Sequence, residues 1–393
     1  MSGPLDGVLV LDMTEVMQGP LAAQTLGDYG ADVIKIERAG GDLMRGLDRD
    51  AVAEGQMSSY FTAVNRNKRS IQLDLKQPEG KRILHRLLER ADVLVHSYRP
   101  DAVRRLNLAY DDVARQYPRL VYASASGWGD TGPLTHKAGQ DMLAQSFSGL
   151  ARTVANPAAL AEFSPVATTD FASGMSLAQG ILAALIERGR TGYGQHVSVN
   201  LLDTAIAQQM LEAASLLMYG RELNWVQQWW SGVFETTDGF VTVLGFFREN
   251  AINLACKALD LPDLSQQEEF NTTAKQAANR GRAHEYLAPH VKRLATAEAV
   301  ELFDSVDLLC APLLTLENAL NQQQVTHNDR KVTVEVPKQA ALDVIGHPVH
   351  MSSSSPRSRH TVPLLGQHST EILGELGFDD EQIAAVRRAG IVK

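Results

Sequence analysis

Three consecutive segments decide the fold: Leu5-Asp-Gly-Val-Leu-Val-Leu-Asp12, the stretch opened by Gly19-Pro20 and running to Tyr29, and Asp32-Val-Ile-Lys-Ile-Glu37. The first and third are short apolar runs bounded by turn residues, the signature of buried strands, and the second has helical character. A strand, a helix and a strand within about thirty residues make a βαβ unit, which requires a parallel sheet.

The alternation continues outward. Ser70–Leu75 reads as a strand, Pro78–Arg90 as a helix with proline in its first turn, Asp92–His96 as a strand, Tyr110–Tyr117 as a helix and Leu120–Ser124 as a strand. This order specifies an open α/β sheet of the doubly wound, Rossmann-like type. Phe171–Arg188 reads as a long helix with overlapping apolar faces, broken by Gly192-Tyr-Gly194 before a strand over His196–Asn200. The expected organisation is a large domain over 1–200, an apolar connector helix over 201–224, and a smaller α+β domain over 225–325. Residues 326–393 would return to the large domain. In the smaller domain Phe234–Leu244 forms a hairpin around Asp238-Gly239. Met351-Ser-Ser-Ser-Ser-Pro356 reads as a polar loop and Asp380–Ala389 as a closing helix.

Composition narrows the function. The chain has 393 residues, 44% apolar and 21% charged, with a net charge of −9, which argues against nucleic-acid binding through bulk positive charge. The two cysteines, Cys256 and Cys310, are too few for a disulfide framework and sit in no metal-ligand spacing, so a reducing cytoplasm is expected. No apolar run reads as a membrane span and no leader is recognisable.

The first βα turn, Met13-Thr-Glu-Val-Met-Gln-Gly-Pro-Leu-Ala-Ala-Gln24, lacks the spaced glycines of a dinucleotide fingerprint. Glu37 stands where an NAD enzyme would hold its ribose, but Lys35 and Arg38 beside it suit a phosphate better. Asn65-Arg-Asn-Lys-Arg69 is either a solvated loop or a phosphate clamp, and its position in an acidic chain favours the clamp. The eleven histidines form no HExxH pair, and no serine lies in a GxSxG elbow. His96 and His196 read as structural strand residues. Two carboxylates remain, Asp141 and Asp170, each preceding a helix. By residue type both are helix caps. A carboxylate beside small residues at a helix start is also a competent nucleophile when a substrate reaches it, and local physics leaves the choice open.

These segments, in order, resemble the class III CoA transferases, the family that includes the α-methylacyl-CoA racemases. The likeness is carried by Pro4–Asp12, Gly30-Ala-Asp-Val-Ile-Lys-Ile-Glu-Arg38, Asn65–Lys76, Ala91–Val95, Pro118–Ala123, Gly127-Trp-Gly-Asp-Thr-Gly-Pro133, Gly192–Val197 and Pro363-Leu-Leu-Gly-Gln-His-Ser-Thr370. The resemblance implies that Asp170 is the nucleophile of a CoA transfer between an acyl-CoA and a small carboxylic acid; the sequence does not name the acid, and small dicarboxylates such as succinate, itaconate or mesaconate are the class expected. It implies CoA contacts at Met17, Gln18, Arg38, Leu73 to Lys76, Ser97, Tyr98, Arg99, Arg105, and Lys137 to Gln140. CoA is then a substrate, with no permanently bound cofactor and no metal. The resemblance also implies an interlocked homodimer, with 201–224 and 326–350 as threading segments; charge and hydropathy lead us to expect neither nucleic acid nor membrane as a partner.

Two departures separate branches of the family. Racemase members place a histidine base just before the aspartate at position 141; here it is Gln140, which disfavours racemisation. The formyl-CoA:oxalate branch has a glycine-rich loop where this chain reads Trp225-Val-Gln-Gln-Trp-Trp-Ser-Gly232, with Trp229 and Trp230 as candidate linings of an acyl or acceptor pocket. The competing readings are a racemase of the same family, a non-catalytic CoA-binding scaffold and an NAD-dependent oxidoreductase.

Overall fold

A computed structural model describes residues 3–152, 163–354, 356 and 361–393. The chain divides into two compact units, one comprising 3–152, 163–209 and 329–393 among these residues, the other Met210–Asn328.

The first unit is built on six parallel strands: β1 (Leu9–Met13), β2 (Asp32–Glu37), β3 (Lys68–Gln72), β4 (Val93–His96), β5 (Val121–Ser126) and β6 (His196–Asn200). They lie in the order β3-β2-β1-β4-β5-β6. The order reverses between β1 and β4, and in such sheets ligands bind beyond the carboxyl ends of the strands at that switch point. The expected doubly wound parallel sheet is therefore present. β1 begins four residues later than the sequence suggests, because Leu5–Gly7 turn back on Tyr29 and Gly3.

Period-two alternation sends successive side chains to opposite faces of the sheet. Val10, Val33, Val93, Val95, Val121 and Ala123 pack against α1 (Gln18–Asp28). Leu11, Ile34, Ile71 and Leu94 pack the other way, against α2 (Pro78–Leu88), α3 (Pro100–Leu106) and α4 (Tyr110–Gln116). α5 (Asp141–Ser148) and α6 (Thr168–Thr191) follow β5. α6 is long and apolar enough to cross a membrane. Its Leu177, Ala178, Ile181 and Ala184 are instead buried against the sheet and α1, so its apolarity is that of a core helix. The stretch read as one connector is two helices, α7 (Leu201–Ala207) in the first unit and α8 (Met210–Tyr219) in the second.

The second unit contains an antiparallel sheet of β7 (Ser231–Glu235), β8 (Phe240–Leu244) and β9 (Leu309–Pro312) packed with helices around Trp230, Phe234, Phe270 and Phe303. The hairpin turn is fixed by Asp238, whose carboxylate accepts from the backbone and hydroxyl of Thr296 at 2.7 Å. After Asn328 the chain rejoins the first unit through a hairpin of β10 (Lys331–Val334) and β11 (Leu342–Ile345). α9 (Ser369–Glu375) and α10 (Asp380–Arg388) then cover the α2 side of the sheet. The expected polar loop over 351–356 is described at 351–354 and 356; residue 355 lies outside the described residues.

Candidate active site

The site is built where the β1, β4 and β5 loops leave the carboxyl edge of the sheet. The β1 loop is strained: Val16, β-branched, sits at φ 71°, in the left-handed region. Buried partners hold it there. Lys35 Nζ donates to the Thr14 carbonyl at 2.9 Å, Ser97 Oγ accepts from the Glu15 amide at 3.1 Å, and Asp42 Oδ1 accepts from the Val16 amide at 3.2 Å. Beneath the loop, Lys68 Nζ lies 2.8 Å from Asp12 and Lys35 Nζ lies 2.9 Å from Asp42, all four side chains wholly or almost wholly inaccessible. Burial pushes the Asp12 carboxyl up, but Lys35 and Lys68 outweigh it and bring it down to about 2. Buried charges persist only when paired in this way.

This network overturns the clamp expected at Asn65–Arg69. Lys68 is committed to Asp12, Arg66 to Asp28 at 2.5 Å, and Arg69 to Asp32, Glu371 and Glu375. The cluster pins elements of the first unit to one another and has no charge to spare for a phosphate. Glu37 is likewise spent, accepting from both Arg45 and Ser70, so it offers nothing to a ribose. A Cβ at Gly19 would lie 2.4 Å from the Thr14 side chain, so this turn is closed where a dinucleotide fold is open.

The remaining expected positions fall mainly at the carboxyl edge. Met17 precedes α1 and Gln18 begins it, the latter buried with its amide 3.5 Å from the Val199 carbonyl. Arg38 follows β2 and pairs with Glu15 at 2.8 Å. Leu73 is buried with its backbone bridged to Val392 and Leu75 packs on the core, so of this segment only Lys76 is exposed. Ser97 and Tyr98 follow β4; exposed Arg99 precedes α3 and donates to the His136 carbonyl at 3.3 Å, and exposed Arg105 lies within that helix. Lys137 and Gln140 are exposed in the segment after β5. Lys76, Arg105 and Lys137 enter no ion pair among the described residues.

Neither candidate aspartate is a cap. Gln140 caps α5, its side-chain oxygen accepting from the Met142 amide at 2.9 Å, and Ala167 precedes α6, which starts three residues earlier than expected. Small and polar Thr168 and Thr169 carry no apolar signal, which is why periodicity missed that turn. Asp170 therefore lies within the first turn of α6, where the helix dipole favours a negative charge. Its carboxylate accepts no hydrogen bond among the described residues. Burial, and then the neighbouring Asp141 charge, push its carboxyl up to about 6. Asp141 is 2% exposed; its Oδ2 accepts from the Asp170 amide at 2.8 Å and its Oδ1 accepts from Gln145 Nε2. The nearness of α6 to the start of α1 is set by Gly174, where a Cβ would stand 2.6 Å from the Gln18 carbonyl. Such close approach is a reason for glycine. Asp170 is thus a half-buried, poorly solvated carboxylate one turn from the contact with Gln18, chemically a nucleophile or a base.

In the second unit Trp230 is 1% exposed and part of the core, so it does not line a pocket. Trp229 is half-buried and lies 6.0 Å from Phe246 and from Phe247.

Comparison with known proteins gives a consistent picture. The sequence profile of CoA-transferase family III matches residues 5–369. The human succinyl-CoA:glutarate CoA-transferase is 34% identical over 400 residues, 99% of this chain and 90% of the relative. A formyl-CoA:oxalate CoA-transferase from Escherichia coli O157:H7 is 30% identical over 420 residues, 99% of each chain. Among solved structures, a CAIB/BAIF family protein from Brucella suis superimposes with a TM-score of 0.86 at 26% identity, over 96% of this chain and 100% of that one.

Proposed function

The chain belongs to CoA-transferase family III, and from that premise we propose that it moves CoA from an acyl-CoA donor to a small dicarboxylic acid, with Asp170 as the covalent nucleophile. The observation that carries the reading is the Asp170 carboxylate itself: ionisable near neutrality, free of hydrogen bonds among the described residues, and held at the carboxyl edge of the sheet. A carboxylate whose proton affinity is raised is also a better nucleophile once ionised.

In the proposed sequence an Asp170 oxygen attacks the thioester carbon, the C–S bond breaks and CoA leaves as the thiolate, giving a mixed anhydride. The thiolate attacks the aspartyl carbonyl carbon and releases the donor acid as its carboxylate. The acceptor carboxylate then attacks the aspartyl thioester, expelling the thiolate and forming a second anhydride. Attack of the thiolate on the acceptor's acyl carbon yields the new acyl-CoA and restores Asp170. No proton is consumed overall.

The CoA contacts remain those named from the resemblance, with Lys76, Arg105 and Lys137 as the cations available to phosphates. A dicarboxylate of four or five carbons suits the class named in the succinyl-CoA:glutarate relative. Gln140, engaged in capping α5, has no group able to abstract an α-proton, so racemisation is not part of the reading. The exposed apolar face of α8, with Leu217 at 86%, supports association with a second copy, and a monomer in sedimentation at micromolar concentration would contradict it. Both cysteines are free thiols, which supports a cytoplasmic site of action. Incubating the enzyme with succinyl-CoA and a panel of acids tests the function: a new acyl-CoA is expected with one or more C4–C5 dicarboxylates, and none from any acid or donor would contradict it.

A further inference from the structure

Residues 127–139, between β5 and α5, form a closed loop. A Cβ at Gly127 would lie 2.3 Å from the Gly139 Cα, so the two ends meet backbone to backbone. Trp128 Nε1 donates across the neck to the Ala138 carbonyl at 3.0 Å. Such compact loops with touching ends are often functional. One carboxylate ties this loop to the sheet. Asp130 Oδ2 accepts from Ser124 Oγ on β5 at 2.5 Å and lies 3.3 Å from His196 Nε2 on β6. Ser124 Oγ and His196 Nε2 are themselves 2.9 Å apart. Since the single hydroxyl proton of Ser124 goes to Asp130, the imidazole must carry its proton on Nε2, where it faces both Ser124 Oγ and the Asp130 carboxylate. Aromatic rings fix the imidazole: Tyr110 stacks on it at 5.0 Å and Tyr122 meets it edge-on at 5.2 Å. Burial raises the Asp130 carboxyl, but the hydrogen bonds from His196 and Ser124 outweigh it and hold it below the usual range, keeping it an anion.

We infer that Asp130, His196 and Ser124 form a latch that positions the 127–139 loop, and with it Lys137 and the Gln140–Asp141 start of α5, for binding acyl-CoA. None of the three touches the substrate in this account; they are positioning residues. The inference rests on the proposed reading of Lys137–Gln140 as part of the acyl-CoA site. It gives His196, a plain strand residue by sequence, a specific task.

The test combines hydrogen exchange with calorimetric CoA binding on the full-length enzyme and its Asp130→Ala, His196→Gln and doubly substituted forms. Each single change is expected to speed amide exchange in 127–139 selectively and to weaken CoA about tenfold, a loss on the scale of a broken charge-assisted hydrogen bond. KM for acyl-CoA should rise more than kcat falls. The double variant should be no worse than the poorer single one, because one latch is broken in all three. Unchanged exchange in 127–139, fully additive effects, or faster exchange with unaltered CoA affinity would each overturn the inference. Unaltered CoA affinity with CoA failing to protect 127–139 in the unsubstituted enzyme would overturn the reading of the CoA site, while exchange in the unliganded proteins would still decide whether the latch exists.

Discussion

The Asp141 carboxylate accepts the backbone N–H of Asp170 at 2.8 Å, so one buried acid holds the main chain of the other and also presses its charge on it. The bond fixes the first turn of α6 against the start of α5. The charge raises the proton affinity of the carboxylate that the reaction would use.

Removing the Asp141 charge while keeping an acceptor separates these effects. With Asp141→Asn, the acid limb of kcat/KM, expected near pH 6 from Asp170, should move to lower pH by roughly one unit. Asp141→Ala should lower kcat further, because the backbone anchor is lost as well. A limb that stays in place in the Asn variant would contradict the electrostatic role.

Asp170 should weaken the fold it serves. Its folded pKa of about 6 lies above the ordinary 3.8. Its contribution to stability is therefore fully present below pH 3.8 and is lost as pH rises through 6. Asp170→Asn should stabilise the protein at pH 8 by roughly 1–2 kcal/mol, after discounting the shift for partial exposure, while abolishing CoA exchange. The advantage should vanish near pH 4. Urea denaturation at the two pH values measures it, and equal stability at pH 8 would count against a strained carboxylate.

Gly174→Ala places a methyl group 2.6 Å from the Gln18 carbonyl and 3.2 Å from Leu21. Main chain cannot yield as a flexible side chain does, so α6 must shift away from α1. The expected cost is about 1–3 kcal/mol in denaturant unfolding, with a fall in kcat larger than that of an exposed substitution on the same helix. Unaltered stability would show that the helices have room to spare.

The two sets of cations should behave oppositely. Arg66→Ala breaks a buried pair with Asp28 and should destabilise by about 3–5 kcal/mol while leaving the CoA affinity of the folded protein within about twofold. Lys76→Ala and Arg105→Ala, both exposed, should weaken CoA about three- to tenfold with little change in melting temperature. Calorimetric Kd values beside melting curves check both halves. Loss of CoA binding in folded Arg66→Ala would restore the clamp that the structure rules against.

The sequence made the sheet legible because buried parallel strands are short apolar runs and their crossovers are amphipathic. Asp32–Glu37 and His196–Asn200 could be bounded from those runs alone. What it concealed were partnerships between distant residues. Arg66 and Lys68 look like an unpaired basic run until the fold brings Asp28 and Asp12 beside them. Asp141 looks like a cap until its bond to Asp170, 29 residues away, is seen. Gly174 carried no local signal, since the surface it must approach is another helix. The stretch over 201–219 reads as one helix because apolar residues resume directly after Gln208 and Gln209, where the chain turns.

The most direct test of the central claim is chemical trapping. The enzyme would be incubated with succinyl-CoA, treated with hydroxylamine or borohydride, digested and mapped by mass spectrometry, with Asp170→Ala alongside. Hydroxylamine should displace CoA from an aspartyl thioester and leave a hydroxamate at Asp170 alone, absent from the variant, with exchange activity reduced there at least about a thousandfold. An unmodified Asp170 across a panel of acyl-CoA donors that bind and turn over, or a variant that still transfers CoA, would contradict the covalent mechanism.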